Sequence, residues 1–178
     1  MANPEQLEYL QDSADEWNSY RREFAITRPE LLGADLSAAQ LAGADLSGAD
    51  LLKANLRAID LTGASLAHAD LIGANLSGAF LLDVDLSSAN LTDADLTGAN
   101  LSGVNATNAI FYDATLTGAS LSGANLTNAD LSNANLYQAN LTNAILLQTD
   151  LTEANLAGVD LSKADLIGAV GLDKHERA

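Results

Sequence analysis

Cysteine is absent from this chain of 178 residues, so neither disulfides nor thiolate metal sites enter its chemistry. Aromatic residues make up only 4%, and there are two prolines. A core built on a few large anchors is thereby excluded. Leu and Ala supply most of the 48% hydrophobic content, so the interior must be assembled from many small contacts. Basic residues are scarce as well: 8 Lys and Arg stand against 24 Asp and Glu, a formal net charge of −16. Such a chain repels phosphate backbones and anionic membranes, so direct nucleic-acid binding is not expected and a basic protein surface is the favoured partner. No segment approaches the ~20 consecutive apolar residues of a membrane span. The start, MANPEQLEYLQDSADEWNSY, is acidic and amphipathic where a secretory signal would be basic and then apolar. A soluble cytoplasmic protein is the expectation.

What the chain has in abundance is a period of five. From Leu31 to Leu166 the central residue of each unit is Leu at 26 of 28 positions, the exceptions being Ala106 and Phe111. Two residues before the centre, Ala occupies 22 of 27 sites; Ile59, Val84, Val104, Thr149 and Val159 depart from it. Immediately before the centre stands Asp or Asn at 20 of 28 sites, and after it come Ser or Thr and then Gly or a polar residue. On an α-helix, five residues advance by about 500°, which would wind the leucines around the cylinder. On a flat strand an odd spacing puts successive leucines on opposite faces. A chain that turns a corner every five residues buries them all, with the centre and the Ala before it pointing inward. Asx, Ser and Thr side chains that bond nearby backbone, and Gly that tolerates corner conformations, agree with that geometry.

Units such as ADLSG, ANLTD and ANLSG resemble the A(D/N)LXX pattern of the pentapeptide repeat family, over about four-fifths of the chain. The resemblance implies an all-β solenoid, a right-handed quadrilateral β-helix with four units per coil. Twenty-eight units then form seven coils, roughly 34 Å long at ~4.8 Å per coil. The sequence itself carries traces of a twenty-residue period: Val84 and Val104; Leu32, Leu52 and Ile72; Asp93 and Asp113; Leu147 and Ile167. The expected organisation is a helical cap and lead-in over residues 1–30, an uninterrupted array over 31–168 and a tail over 169–178. In the cap, Asn3 and Pro4 start a helix, and Leu7, Leu10, Ala14, Trp17 and Phe24 form an apolar stripe to lay over the first coil. The tail offers only Val170 and Leu172 to cover the other end, so an end-to-end homodimer through the C-terminal coil is a further expectation. Phe111 is expected to fill the volume that Ala106 gives up.

Catalysis has little to stand on. The chain has two histidines, His68 at an outward position and His175 in the tail, neither with metal-ligand spacing. Of the fifteen acids from Asp35 to Asp165, eleven occupy the Asp/Asn site that the repeat itself demands. Asp83, Asp93, Asp113 and Glu153 lie two after a centre instead, and Asp93 and Asp113 would stack in neighbouring coils. On a convex face such a pair is surface charge, so neither a metal nor a cofactor is expected.

Laid on twenty-residue coils, one face gathers Glu30, Asp50, Asp70, Asp130 and Asp150 in one column and Asp93, Asp113 and Glu153 in another, against Lys53. The same face displays Leu32, Leu52 and Ile72 in a row, with Tyr112 further along. An apolar ridge beside an acidic stripe is the candidate partner-binding face of a non-catalytic scaffold or interaction module. The family implies an alternative: some members imitate the width and charge of B-form DNA, bind DNA gyrase and protect it from quinolones. This array departs from those members in having no loop between repeats and no evident C-terminal dimerisation helix.

Overall fold

The computed structural model describes residues 1–172. Its architecture follows from one turn repeated. In the first unit the C=O of Leu31 accepts the N–H of Ala34 at 2.9 Å, which closes a β-turn with Gly33 at φ +66° in the left-handed region. Type II turns demand that conformation at their third residue, which is why Gly or Asn recurs there. The turn rotates the chain at every fifth residue and leaves between corners a single extended residue that bridges to neighbouring coils. Every bridge is parallel and joins a residue to the one twenty later, from Glu30 with Asp50 to Asp150 with Val170. Four five-residue sides therefore make one coil. We call them side A (Glu30, Asp50, Asp70 and onward), side B (Asp35, Asn55), side C (Gln40, Asp60) and side D (Asp45, Ser65). Side A carries seven consecutive bridges.

Between coils each side makes three main-chain hydrogen bonds, shown by Asp50 N–H to Pro29 C=O at 2.8 Å, Leu31 N–H to Asp50 C=O at 2.9 Å and Gly33 N–H to Leu52 C=O at 2.9 Å. The central residues and those two before them fill the interior, Leu96, Leu101, Ala106, Ala109 and Phe111 all being fully buried. Burying each Leu contributes about 2 kcal/mol before conformational entropy is charged against it. Thr149, at an Ala site, is also fully buried, and its hydroxyl donates to the Leu126 C=O at 2.8 Å, so its polar atom costs little there.

Two helices precede the array: α1 (Pro4–Asp12) and α2 (Ala14–Glu23). The Asn3 side chain accepts the N–H groups of Glu5 and Gln6 at the start of α1. Ser13 ends α1 in an extended conformation and accepts the Glu16 N–H to begin α2, which is why the apolar stripe is split over two helices. Leu10 and Trp17 are buried over the first coil. Phe24 is not part of that stripe: it follows the end of α2, is 54% exposed, and only tilts against Tyr20 with ring centroids 4.9 Å apart.

At the other end the inward residues Leu156, Val159, Leu161 and Leu166 are half-buried, because among the described residues that coil has a neighbouring coil on one side only. Side C pairing stops at Ser120 with Asn140, and Asp160 makes no bridge among the described residues. Ala169 and Leu172 are buried while Val170 is 49% exposed. His175 and the rest of the expected tail from 173 lie outside the described residues. Among the described residues no helix is long and apolar enough to cross a membrane.

Candidate functional site

Side A orders the candidate residues into three columns. The bridging column runs Glu30, Asp50, Asp70, Asn90, Ile110, Asp130, Asp150 and Val170. Its acids are engaged by the fold: Asp50, Asp70, Asp130 and Asp150 each accept the main-chain N–H two residues on, from Leu52, Ile72, Ser132 and Thr152, at 2.9 to 3.3 Å. These are Asx turns, and they explain why an acid or amide recurs before each centre. The Thr152 hydroxyl and N–H hold the Asp150 carboxyl below the usual carboxylate range. Arg28 approaches Asp50 at 3.7 Å from a largely exposed position, a pairing worth little in stability.

The next column holds Leu32, Leu52 and Ile72 at successive coils, all half-buried. The N-terminal segment borders this row, with Met1 and Arg28 beside Leu32, but does not bury it. Thr92 then interrupts the row before Tyr112, which is 41% exposed. The ridge is thus two patches, and the second includes Ile110, 39% exposed, across the buried Phe111 from Tyr112. The third column, at the corner, carries Lys53, Asp93, Asp113 and Glu153, each with φ between 55° and 59°. Asp93 and Asp113 occupy equivalent corners of adjacent coils, their N–H groups donating to Tyr112 and Ser132 C=O. Among the described residues no three His, Cys, Asp or Glu side chains gather as a metal site. His68 stands exposed at a corner with φ 60°.

Apolar exposure is not confined to side A. Phe80 (54%) and Leu82 (39%) flank a buried Leu on side C, Tyr137 is exposed on side B, and Ile145 and Ile167 on side D. Three of these outward residues, Phe80, Ile110 and Ile145, replace the Asp or Asn of the repeat, which is the signal in the sequence that marks them.

A four-sided stack of five-residue units defines a class, and comparison gives its membership. The family described as pentapeptide repeats matches eight copies over residues 30–66, 64–103, 94–133, 109–146 and 134–170, and this chain belongs to that family. Its fold is the right-handed quadrilateral β-helix. Among solved structures, the chain is similar to HetL, a pentapeptide repeat protein involved in heterocyst differentiation regulation in the cyanobacterium Nostoc sp. strain PCC 7120. The two share 40% identity over 78% of this chain and 73% of that one, with a TM-score of 0.39. A pentapeptide repeat protein of the cyanobacterium Cyanothece 51142 shares 32% identity over 88% of this chain and 94% of its own, with a TM-score of 0.24. QnrB1, a plasmid-mediated fluoroquinolone resistance protein, shares 21% identity over 80% and 81%, with a TM-score of 0.38. No curated protein matches.

Proposed function

We propose that the chain is a non-catalytic, cytoplasmic protein-interaction scaffold, an array of seven coils capped at its N-terminal end by α1 and α2 over sides A and D. The observation that carries this is the half-buried row Leu32, Leu52 and Ile72, set between the acids of side A on a rigid solenoid. Apolar side chains supply contact area, and the flanking carboxylates favour a basic partner surface. Asp50, Asp70, Asp130 and Asp150 serve the turns first and the partner second, whereas Asp93, Asp113 and Glu153 are free of that duty and are the acids expected to read a partner. The test is Leu52→Lys with Ile72→Lys, used as bait in a native extract beside the unchanged chain. Loss of specific partners supports this face, and an unchanged partner set discards it.

A second reading is a DNA-mimicking binder of DNA gyrase, giving topoisomerase protection or quinolone resistance. It is supported by the net charge of −16 and by acids at steps of ~4.8 Å along side A, from Glu30 to Asp70 and again at Asp130 and Asp150. Adding the protein to a gyrase supercoiling assay decides it. The half-buried inner leucines of the last coil support association of two copies through that end. Light scattering that reports a strict monomer removes the dimer and leaves the scaffold reading standing.

A further inference from the structure

Inside the array, the residue before each centre uses both main-chain polar groups on the preceding coil. Asn55, for example, donates its N–H to Ala34 C=O at 2.8 Å and accepts the Leu36 N–H at 2.9 Å. The first coil has no preceding coil, and the helices replace it on two sides only. On side A, Glu30 donates its N–H to the Gln6 side chain and accepts the Asn3 N–H, both at 2.7 Å. On side D, Asp45 donates to the Asn18 side chain at 2.7 Å, while its C=O accepts Trp17 Nε1 at 2.7 Å and Arg21 Nη1 at 2.6 Å. On sides B and C, Asp35 and Gln40 are exposed, and no described residue takes their N–H or C=O. Beside them lies a groove of about 390 Å³ between the end of α1 (Leu10, Gln11, Asp12) and the first coil (Leu36, Ala39).

We propose that this open edge binds an extended peptide segment of a partner, as an added strand, with a basic side chain over Asp35. The main chain of the segment would supply the C=O and N–H that a preceding coil supplies elsewhere. In the register of the array, the residue over Asp35 points outward and its neighbours point inward. The recognised pattern is therefore apolar, basic, apolar. Its inward side chains enter the groove lined by Leu10, Leu36 and Ala39, and its cation meets Asp35, Asp12 and the carbonyl end of α1. A second copy of this chain fits poorly: two such edges would juxtapose their acids, and α1 and α2 obstruct an incoming four-sided end. This surface is separate from the side A columns, so each stands or fails alone.

The test titrates the full ¹⁵N-labelled chain with acetyl-Val-Lys-Leu-Lys-Val-amide and with its Glu-for-Lys counterpart. The Lys peptide is expected to shift the Asp35 amide and to slow its hydrogen exchange about tenfold at saturation. Asp12→Lys, an exposed change, is expected to weaken that peptide about tenfold by replacing attraction with repulsion. Unchanged exchange in coils distant from the edge confirms that this variant folds. No response at Asp35 at millimolar peptide, equal response to the Glu peptide, or full binding by Asp12→Lys overturns the proposal. Shifts that grow with protein concentration alone assign the edge to a second copy and overturn it too.

Discussion

Leu96→Ala in the middle of the array should cost far more stability than Leu161→Ala in its last coil. Leu96 is fully buried, with Leu76 and Leu116 at the equivalent positions of the coils on either side, both also fully buried. Truncation removes three carbons, about 2.4 kcal/mol at ~0.8 kcal/mol each. The rigid stack above and below cannot collapse into the space, so a cavity term raises the cost to about 3–4 kcal/mol. Leu161 is half-buried and, among the described residues, has a neighbouring coil on one side only, so its truncation should cost about 1 kcal/mol. Urea unfolding followed by far-ultraviolet circular dichroism measures both, with the comparison read from midpoints at a shared slope. In a solenoid whose stability sums neighbour terms, the larger loss must fall on the residue with two neighbours. Equal losses at Leu96 and Leu161 would refute the stacking account.

Corner strain gives a reciprocal pair. Ala58 is exposed at φ +53° and should gain up to about 1 kcal/mol as Gly, whereas Gly63, at φ +66° with open space around it, should lose about 1 kcal/mol as Ala; thermal melts of both variants check this. The carboxyls of Asp35, Asp150 and Asp160 are lowered from 3.8, first by the hydroxyls and then by the N–H groups of Ser37, Thr152 and Ser162. Because folding lowers these values, their stabilisation is present above the unfolded value and is lost as pH falls through the folded one. The urea midpoint should therefore drop below about pH 4, and the drop should be shallower when the three are changed to Asn. Phe111→Leu should lower the urea midpoint by leaving the space beside Ala106 unfilled, at a cost of about 1 kcal/mol; a variant as stable as the parent would show that Phe111 does not compensate.

A corner every five residues was legible from the period, and the recurring residue types say which atoms face inward; the four sides and the right hand came from the family resemblance. Side membership was legible once twenty residues were taken per coil, so Leu32, Leu52 and Ile72 fall in one row on sequence alone. The break at Ser13 was harder to read. Helical spacing continues through it, and only its extended backbone and its bond to Glu16 make it the end of one helix and the start of another. Phe24 kept the spacing but fell beyond the last turn. The exposed residues Phe80, Ile110 and Ile145 were visible as departures from Asp or Asn, yet their meaning depends on exposure, which pattern alone does not supply. The open edge at Asp35 and Gln40 depends on where α1 and α2 end over the coil, a tertiary fact with no local signature.

Every assignment of residues to faces rests on each residue stacking on the one twenty later, and the absence of cysteine allows that to be tested directly. Asn75 and Asp95 are a bridged pair on side B. Neighbouring parallel strands lie ~4.8 Å apart, within the Cα separation that a disulfide spans. With both changed to Cys, oxidation should produce an intramolecular disulfide that shifts mobility on non-reducing gels, while Cys at Asn75 and Asn90, fifteen apart and on different sides, should not. A disulfide in the second pair and none in the first would contradict the four-sided register and the faces drawn from it.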